Sequence, residues 1–434
     1  MFIKFSVQNF RSILDQQELS LVATNSREKG DGVVSVGPPV GSLLRVGAIY
    51  GANASGKTNI LRAMSFFRLA VRNSQQRWEH DEPIPIERFA LGNREEMQTR
   101  MCLDFLVNGV RHEYGFTIND REFLTEWLHV YVLGRKQVWF ERTDSTNIKF
   151  GPKLQTTANR EMNVAISKMV RPNSLLLSAA VQNNYEELKP IQNAIVRGWI
   201  ALLDTRENLV HKTARISFEQ ADLKRRITRL MRAADLGLID YEFVEEEADE
   251  KTKTIINALI STMPDPKDPD LPTAPYKVPK VSFTHRSSET SGVKFEASQE
   301  SAGTLAYFGL MGPICDALEN GSFIFIDEIE SSLHPNLAAL IVQLFNNSRT
   351  NPKNAQLVFT THEVTLLTEC ALRRDQIWFT EKDRNGVTTL FPLSDFHIRN
   401  DEKISKGYLQ GRFGGIPNVD QILALNPPED EVAR

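Results

Sequence analysis

Residues Gly51-Ala52-Asn53-Ala54-Ser55-Gly56-Lys57-Thr58 match the pattern GxxxxGK[ST], between a short apolar run, Val46 to Tyr50, and a helically spaced segment, Asn59 to Arg72. A glycine-rich turn joining a strand to a helix N-terminus aims backbone N–H groups at one point, and that point attracts phosphate. The backbone at Gly51, Asn53, Ser55 and Gly56 is expected to wrap a polyphosphate, with Lys57 reaching the β and γ phosphates and Thr58 ligating Mg²⁺. Far downstream, Phe323-Ile324-Phe325-Ile326-Asp327-Glu328 is an apolar strand pattern ending in two carboxylates. A parallel sheet presents such residues at its C-terminal edge, where nucleotide sites form. Asp327 is expected to hold Mg²⁺ through water, and Glu328 to orient or deprotonate an attacking water. Asp-Glu after an apolar strand is common; its pairing with a P-loop makes it informative.

These residues need elements to position them. Residues 2–7 alternate apolar and polar, Asn9-Phe10-Arg11-Ser12 reads as a turn, and 17–22 alternate again, which predicts a hairpin. A Gly/Pro-rich loop follows at 30–42, then the strand, turn and helix of the P-loop. Between Arg100 and Phe150 the period is two, interrupted by turns such as Asn108-Gly109, which predicts an antiparallel sheet of about four strands. Helical spacing dominates from Ser174 to Leu238, and six prolines between Pro264 and Pro279 predict a loop or linker. After it, strands at 280–285, 323–326, 356–360 and 376–380 alternate with helices over 301–319, from Pro335 and from Glu363, implying a parallel sheet covered by helices. The expected organisation is α/β: a lobe with the P-loop and antiparallel β subdomain over 1–170, a helical insertion over 171–262, and a second lobe with the Asp327-Glu328 strand over 263–434.

Composition excludes several classes. The 434 residues carry 51 basic and 55 acidic side chains, a formal charge of −4, so any nucleic-acid footprint is a local patch. An apolar content of 41% suffices for buried cores. The longest strongly apolar stretches fall short of the roughly 20 residues a membrane span needs. The N-terminus lacks the basic region and apolar run of a signal peptide, so the mature protein is expected to begin at Met1 and no membrane partner is expected. Cys102, Cys315 and Cys370 share no short spacing, which argues against zinc or disulfides and for a reducing cytoplasm.

The motifs together resemble the ABC-class ATPases of the RecF, SMC and OLD-like branch. Glu328-Ile329-Glu330-Ser331-Ser332-Leu333-His334-Pro335 looks like their D-loop region, and Thr360-Thr361-His362-Glu363 like their switch-histidine motif. Ser298-Gln299-Glu300-Ser301-Ala302-Gly303-Thr304 looks like a divergent signature, and Asn9-Phe10-Arg11-Ser12 matches the opening "NFRS" of the branch. Within it, Asp375 to Phe396 and Tyr408 to Pro417 are similar to the RloA/AbiL-type ATPases of phage-defence and abortive-infection operons. Two departures stand out: Ser301-Ala302-Gly303 replaces the Ser-Gly-Gly of transporters, and no Toprim nuclease is expected, since Glu381-Lys382-Asp383 lacks a paired Asp-x-Asp.

The resemblance implies an ABC-type P-loop head of mixed sheet, helices and antiparallel β subdomain, which binds ATP with Mg²⁺, hydrolyses ATP to ADP and phosphate, and forms a head-to-tail homodimer or higher homo-oligomer. It casts Lys57, Glu328 and His362 as catalytic, places Arg11 in the nucleotide site, and has Ser301 and Gly303 complete the site of the opposite chain. The switch would regulate an effector, a nuclease or toxin from the same operon. A RecF-like DNA clamp and a nucleotide sensor with little turnover are the competing readings. The basic stripe of Lys224, Arg225, Arg226, Arg229 and Arg232 reads first as a solvated helix face, with nucleic-acid or partner binding as the alternative. His334, before a proline at a helix start, reads as structural or dimer-contacting rather than catalytic, and Gln182 is a candidate metal-contacting glutamine.

Overall fold

The computed structural model describes residues 1–24, 31–91, 97–144, 147–203, 207–248, 250, 251, 253, 254, 258, 277–287, 292–397 and 403–416. The chain separates into two compact units, one formed by 1–203, 318–329 and 338–434, the other by 204–317 and 330–337. These units do not coincide with the expected boundaries at 170/171 and 262/263. The reason is that the helices over 160–196 bury their apolar faces in the core of the first unit.

Two sheets build the first unit. The seven-stranded antiparallel sheet has the order β10-β9-β8-β7-β6-β1-β2, from β1 (Phe2–Gln8), β2 (Gln17–Ser20), β6 (Thr99–Val107), β7 (Val110–Ile118), β8 (Phe123–Val132), β9 (Arg135–Arg142) and β10 (Ile148–Phe150). The expected N-terminal hairpin is present, and its first strand pairs with β6, so the antiparallel sheet is larger than its own segment predicts. Two-residue turns at Asn108-Gly109 and Leu133-Gly134, all at positive φ, match the twist of the strands they join. The Gly/Pro-rich stretch expected as a loop is instead a ribbon of β3 (Val33–Gly37) and β4 (Gly41–Leu44).

The second sheet has the order β11-β15-β16-β5-β17-β18, from β5 (Val46–Gly51), β11 (Trp199–Leu202), β15 (Phe323–Ile326), β16 (Gln356–Thr361), β17 (Ile377–Lys382) and β18 (Thr388–Pro392). All its pairs are parallel except β17 with β18. Its apolar strands are buried along their length, as expected for strands covered on both faces. Helical periodicity hid β11, whose four residues are too few to display a period. The helix expected from Glu363 is confined to Leu366–Glu369, because the Glu363 carboxylate accepts the Thr365 N–H in a local turn.

Helix α1 (Lys57–Asn73) joins the two sheets, and α2 (Arg160–Met169), α3 (Leu176–Gln182) and α4 (Lys189–Val196) pack in the same unit. Phe67 of α1 stacks on Phe116 at 5.2 Å and meets Phe5 edge-on at 5.5 Å, both from the antiparallel sheet, while Trp199 of β11 lies 6.3 Å away. Gln356, 1% exposed, accepts the Phe2 N–H and donates to the carbonyls of Phe2 and Leu44, stitching β16 to β1 and β4. Glu126 and Arg142 are fully buried in the antiparallel sheet and 4.0 Å apart. The carboxylate accepts the N–H groups of Leu176 and Leu177 and the Tyr114 hydroxyl, and Arg142 donates to the Ser174 carbonyl.

In the second unit, β12 (Leu238–Glu247), β13 (Lys277–His285) and β14 (Val293–Glu296) form an antiparallel sheet, with helices α5 (Glu207–Glu219) and α6 (Ala221–Ala233). The expected insertion is therefore not purely helical. Phe308 of α7 (Ala302–Asn320) packs edge-on against Tyr241 and Phe283 of this sheet. The proline-rich stretch lies outside the described residues up to position 276, and Pro279 falls within β13. There the strand pairs with β12 alone, because β14 begins its pairing at Ser282, so the missing N–H interrupts no second ladder. Among the described residues no helix is long and apolar enough to cross a membrane.

A pH test follows from the face of the antiparallel sheet that carries Glu113. Its carboxylate accepts from His129 Nδ1, Trp127 Nε1 and Tyr131 Oη, and these bonds, led by His129, hold its pKa down to about 2 from the usual 4.5. A lowered carboxylate pKa stabilises the fold above about pH 4.5, and that contribution disappears as the pH falls toward 2. Glu113→Gln is expected to cost about 1–2 kcal/mol near neutral pH and less near pH 3. Denaturant unfolding at both pH values checks this; an equal loss at both refutes it.

Candidate functional site

The turn from β5 into α1 is shaped by glycines that cannot be replaced without collision. Gly56 has φ +108, and a Cβ there would run into the Thr388 side chain; a Cβ on Gly51 would meet Ser55 Oγ at 2.6 Å and the Thr380 carbonyl at 2.8 Å. Ala54 also sits at positive φ, +62, so the turn stores backbone strain that its neighbours hold in place. Those neighbours are mostly hydroxyls. Ser55 Oγ and Thr380 Oγ1 are 2.6 Å apart, Thr388 Oγ1 donates to the Ser55 carbonyl at 2.9 Å, and Asn59 Nδ2 donates to Ser12 Oγ at 2.7 Å.

Lys57, 6% exposed, donates from Nζ to the carbonyls of Gly51 at 2.7 Å and Ala52 at 3.0 Å. The ammonium is thereby folded back over the loop. Thr58 Oγ1 donates to Asp327 Oδ1 at 3.1 Å, and Thr360 Oγ1 donates to the same oxygen at 2.5 Å. Thr360 Oγ1 also accepts the Glu328 N–H at 2.7 Å, and Glu328 has φ +46, a turn that sends the chain away from the sheet. Thr360 thus fixes both carboxylate residues from the adjacent strand.

A cleft of about 360 Å³ is lined by Asn53 through Asn59, Glu328, His362 and Lys382. It joins the P-loop at the end of β5 to residues following β15 and β16 and to the last residue of β17. One hydroxyl, Thr58, and one carboxylate, Asp327, converge beside it. Hard oxygen donors in that number suit Mg²⁺, which binds through few protein ligands together with phosphate and water. Among the described residues no cluster of three or more His, Cys, Asp or Glu could hold a metal ion by itself.

Not every residue singled out from sequence reaches this cleft. Arg11 does not line it; its guanidinium pairs with the Glu87 carboxylate and its N–H donates to the Glu87 carbonyl. Its neighbour Ser12 is the residue of that motif that touches the P-loop framework, through Asn59 and, at 2.7 Å, Thr388. Gln182, the last residue of α3, is not a lining residue. Thr380 and Thr388 escaped sequence reasoning, and Thr360 and Lys382, named there within longer segments, were given no role at this cleft, because single threonines and a lysine at strand ends carry no periodic signal. Only the strand pairing identifies them.

Ser301 and Gly303 belong to the second unit. Ser301 Oγ accepts the Thr304 N–H at 3.1 Å, capping α7, and a Cβ on Gly303 would stand 3.0 Å from the Ser332 carbonyl, so the glycine permits a close backbone approach. His334 Nδ1 accepts the Asn336 N–H at 3.2 Å at the start of its helix. In the basic stripe on α6, Lys224 pairs with Asp240 at 3.6 Å, Arg225 pairs with Asp222, and Arg232 donates to the Ile239 carbonyl.

Residues 47–368 match the family described as "AAA domain, putative AbiEii toxin, Type IV TA system". No curated protein matches the chain significantly. Among solved structures, the SMC head domain from Thermotoga maritima aligns over 92% of this chain and 99% of that one, with 14% identity and a TM-score of 0.40.

The turn geometry generates its own test. Gly56→Ala is expected to destabilise the protein by about 1–3 kcal/mol, from the positive φ and the collision with Thr388 together. Urea unfolding measures it. Wild-type stability in the variant would mean that the turn relaxes freely and is not held by Thr388.

Proposed function

The chain belongs to this family of AAA domains, and from that premise we propose that it binds and hydrolyses ATP in the P-loop cleft and uses the cycle to regulate an effector protein in antiviral defence. One observation carries the reading. Lys57, Thr58, Glu328 and His362 line a single cleft, with Asp327 hydrogen bonded to Thr58 at its side.

The chemistry follows from what each group can do. Lys57 exchanges its two loop carbonyls for oxygens of the β and γ phosphates, joining the backbone N–H groups of the turn. Thr58 and Asp327 would hold Mg²⁺, which would neutralise phosphate charge. Glu328, exposed to the cleft with its backbone pinned by Thr360, orients a water and accepts its proton as the water attacks the γ phosphorus. His362, at the end of the adjacent strand, contacts the γ-phosphate and so distinguishes triphosphate from diphosphate.

Ser301 and Gly303 of a second copy complete the site in this reading, so ATP draws two chains together and hydrolysis releases them. The family description, which names a toxin and a type IV system, supports an effector of nuclease or toxin type, as does the likeness of Asp375 to Phe396 to RloA/AbiL-type ATPases. The setting proposed is the bacterial cytoplasm.

Two variants test the reading. Lys57→Ala is expected to weaken ATP binding by about a hundredfold or more, because it removes the one buried cation of the turn. Equal affinity in calorimetry would overturn the assignment of the cleft. Glu328→Gln keeps the shape and loses the basic oxygen, so it is expected to bind ATP normally while turnover falls about 10²- to 10⁴-fold. An ATP-dependent dimer should then accumulate in light scattering; unchanged turnover would remove Glu328 from the catalytic role.

A further inference from the structure

Strand β17 ends on the P-loop, and its last residues point to opposite faces of the sheet. Thr380 is in register with Gly51, so Glu381 and Lys382 overhang the start of the turn. Side chains alternate along a strand, which puts Thr380 and Lys382 on one face and Glu381 on the other. Thr380 faces the P-loop through Ser55, and the residue paired with Lys382 across the antiparallel ladder is Thr388, which bonds the Ser55 carbonyl from that same face. Lys382 accordingly lines the cleft. On the opposite face, Glu381 Oε1 accepts the Gly415 N–H at 3.0 Å, and Tyr408 Oη donates to the Gly415 carbonyl at 3.1 Å. Gly414 and Gly415 both have φ +69, and Tyr408 stacks on Phe379 at 5.3 Å, so the segment 403–416 braces the end of β17 from behind.

The position of Lys382 within the sheet decides which part of a nucleotide it can meet. Glu328 and His362 follow β15 and β16, on one side of β5; β17 is on the other. A phosphate chain laid along the turn with its γ end at Glu328 and His362 runs toward Lys382 at its α end. We propose that Lys382 is a nucleotide-binding residue that contacts the α-phosphate. It adds a cation to the cleft beside Lys57. The inference rests on the reading of the cleft as an ATP site. Because the α-phosphate is common to ATP and ADP, Lys382 contributes equally to both, whereas His362 and Glu328 act on the triphosphate alone.

The test is calorimetric titration of the full chain with Mg-ATP and with Mg-ADP, for wild type, Lys57→Ala, Lys382→Gln and Lys382→Arg. Lys382→Gln is expected to weaken both nucleotides alike, by roughly tenfold, as loss of one charge-assisted bond does, and Lys382→Arg to recover most of it. Unchanged thermal unfolding of Lys382→Gln would assign the loss to binding, since the side chain is exposed. If wild type binds ATP and Lys57→Ala does not, but Lys382→Gln matches wild type, the proposal fails and the ATP site stands. A loss for ATP without one for ADP also overturns it, by placing the lysine at the γ end. If wild type binds neither nucleotide, the reading of the cleft itself fails.

Discussion

The central place of β5 in the mixed sheet is the constraint on which the cleft depends. With β16 on one side and β17 on the other, the P-loop receives residues from both neighbours at one level. Parallel strands make this possible, because all of them end at the same edge of the sheet. Thr361 is in register with Tyr50 and Thr380 with Gly51, so residues immediately beyond those pairs surround the turn. A slip of one residue in either ladder would turn Thr360 or Thr380 to the wrong face and remove a bond to Asp327 or Ser55.

Hydroxyls do most of the positioning around that turn. Threonine is well suited to it, since its branched side chain is stiff at χ1 in a strand and its oxygen both donates and accepts. Thr360 uses both capacities, donating to Asp327 and accepting from the Glu328 backbone. Ser12 extends the network to the N-terminal hairpin, far away in sequence. The acidic pair is thus held in place by hydroxyls of the protein itself.

The antiparallel sheet serves the site through α1. Phe67 fills the space between Phe116 and Trp199, so the helix whose N-terminus faces the cleft is wedged between two sheets. Gln356 ties the first residue of β16 to β1 and β4, and the buried Glu126 carboxylate, which burial alone pushes toward protonation and Arg142 opposes, anchors the chain at Leu176 and Leu177. A buried ion pair is weak support for stability as such; here its hydrogen bonds fix where one segment meets the sheet.

Local signals determined much of this protein. The P-loop, its strand and its helix were legible because glycine at φ +108 and a helix N-terminus impose their own residues, and Phe323 to Glu328 because a fully buried strand must be apolar until it emerges. The hairpin turn at Asn108-Gly109 was legible for the same local reason. Strand pairing was not. Nothing in the residues of β1 announces that it pairs with β6, nor do four residues of β11 announce a strand, because pairing partners are chosen by burial across the whole chain. The same holds for the cleft: Lys57 and Thr58 lie in a motif and Asp327 at the end of an apolar strand, while the pairing of Arg11 with Glu87, the grip of Thr360 and the presence of Lys382 in the cleft depend on contacts between distant segments, which only the tertiary structure decides.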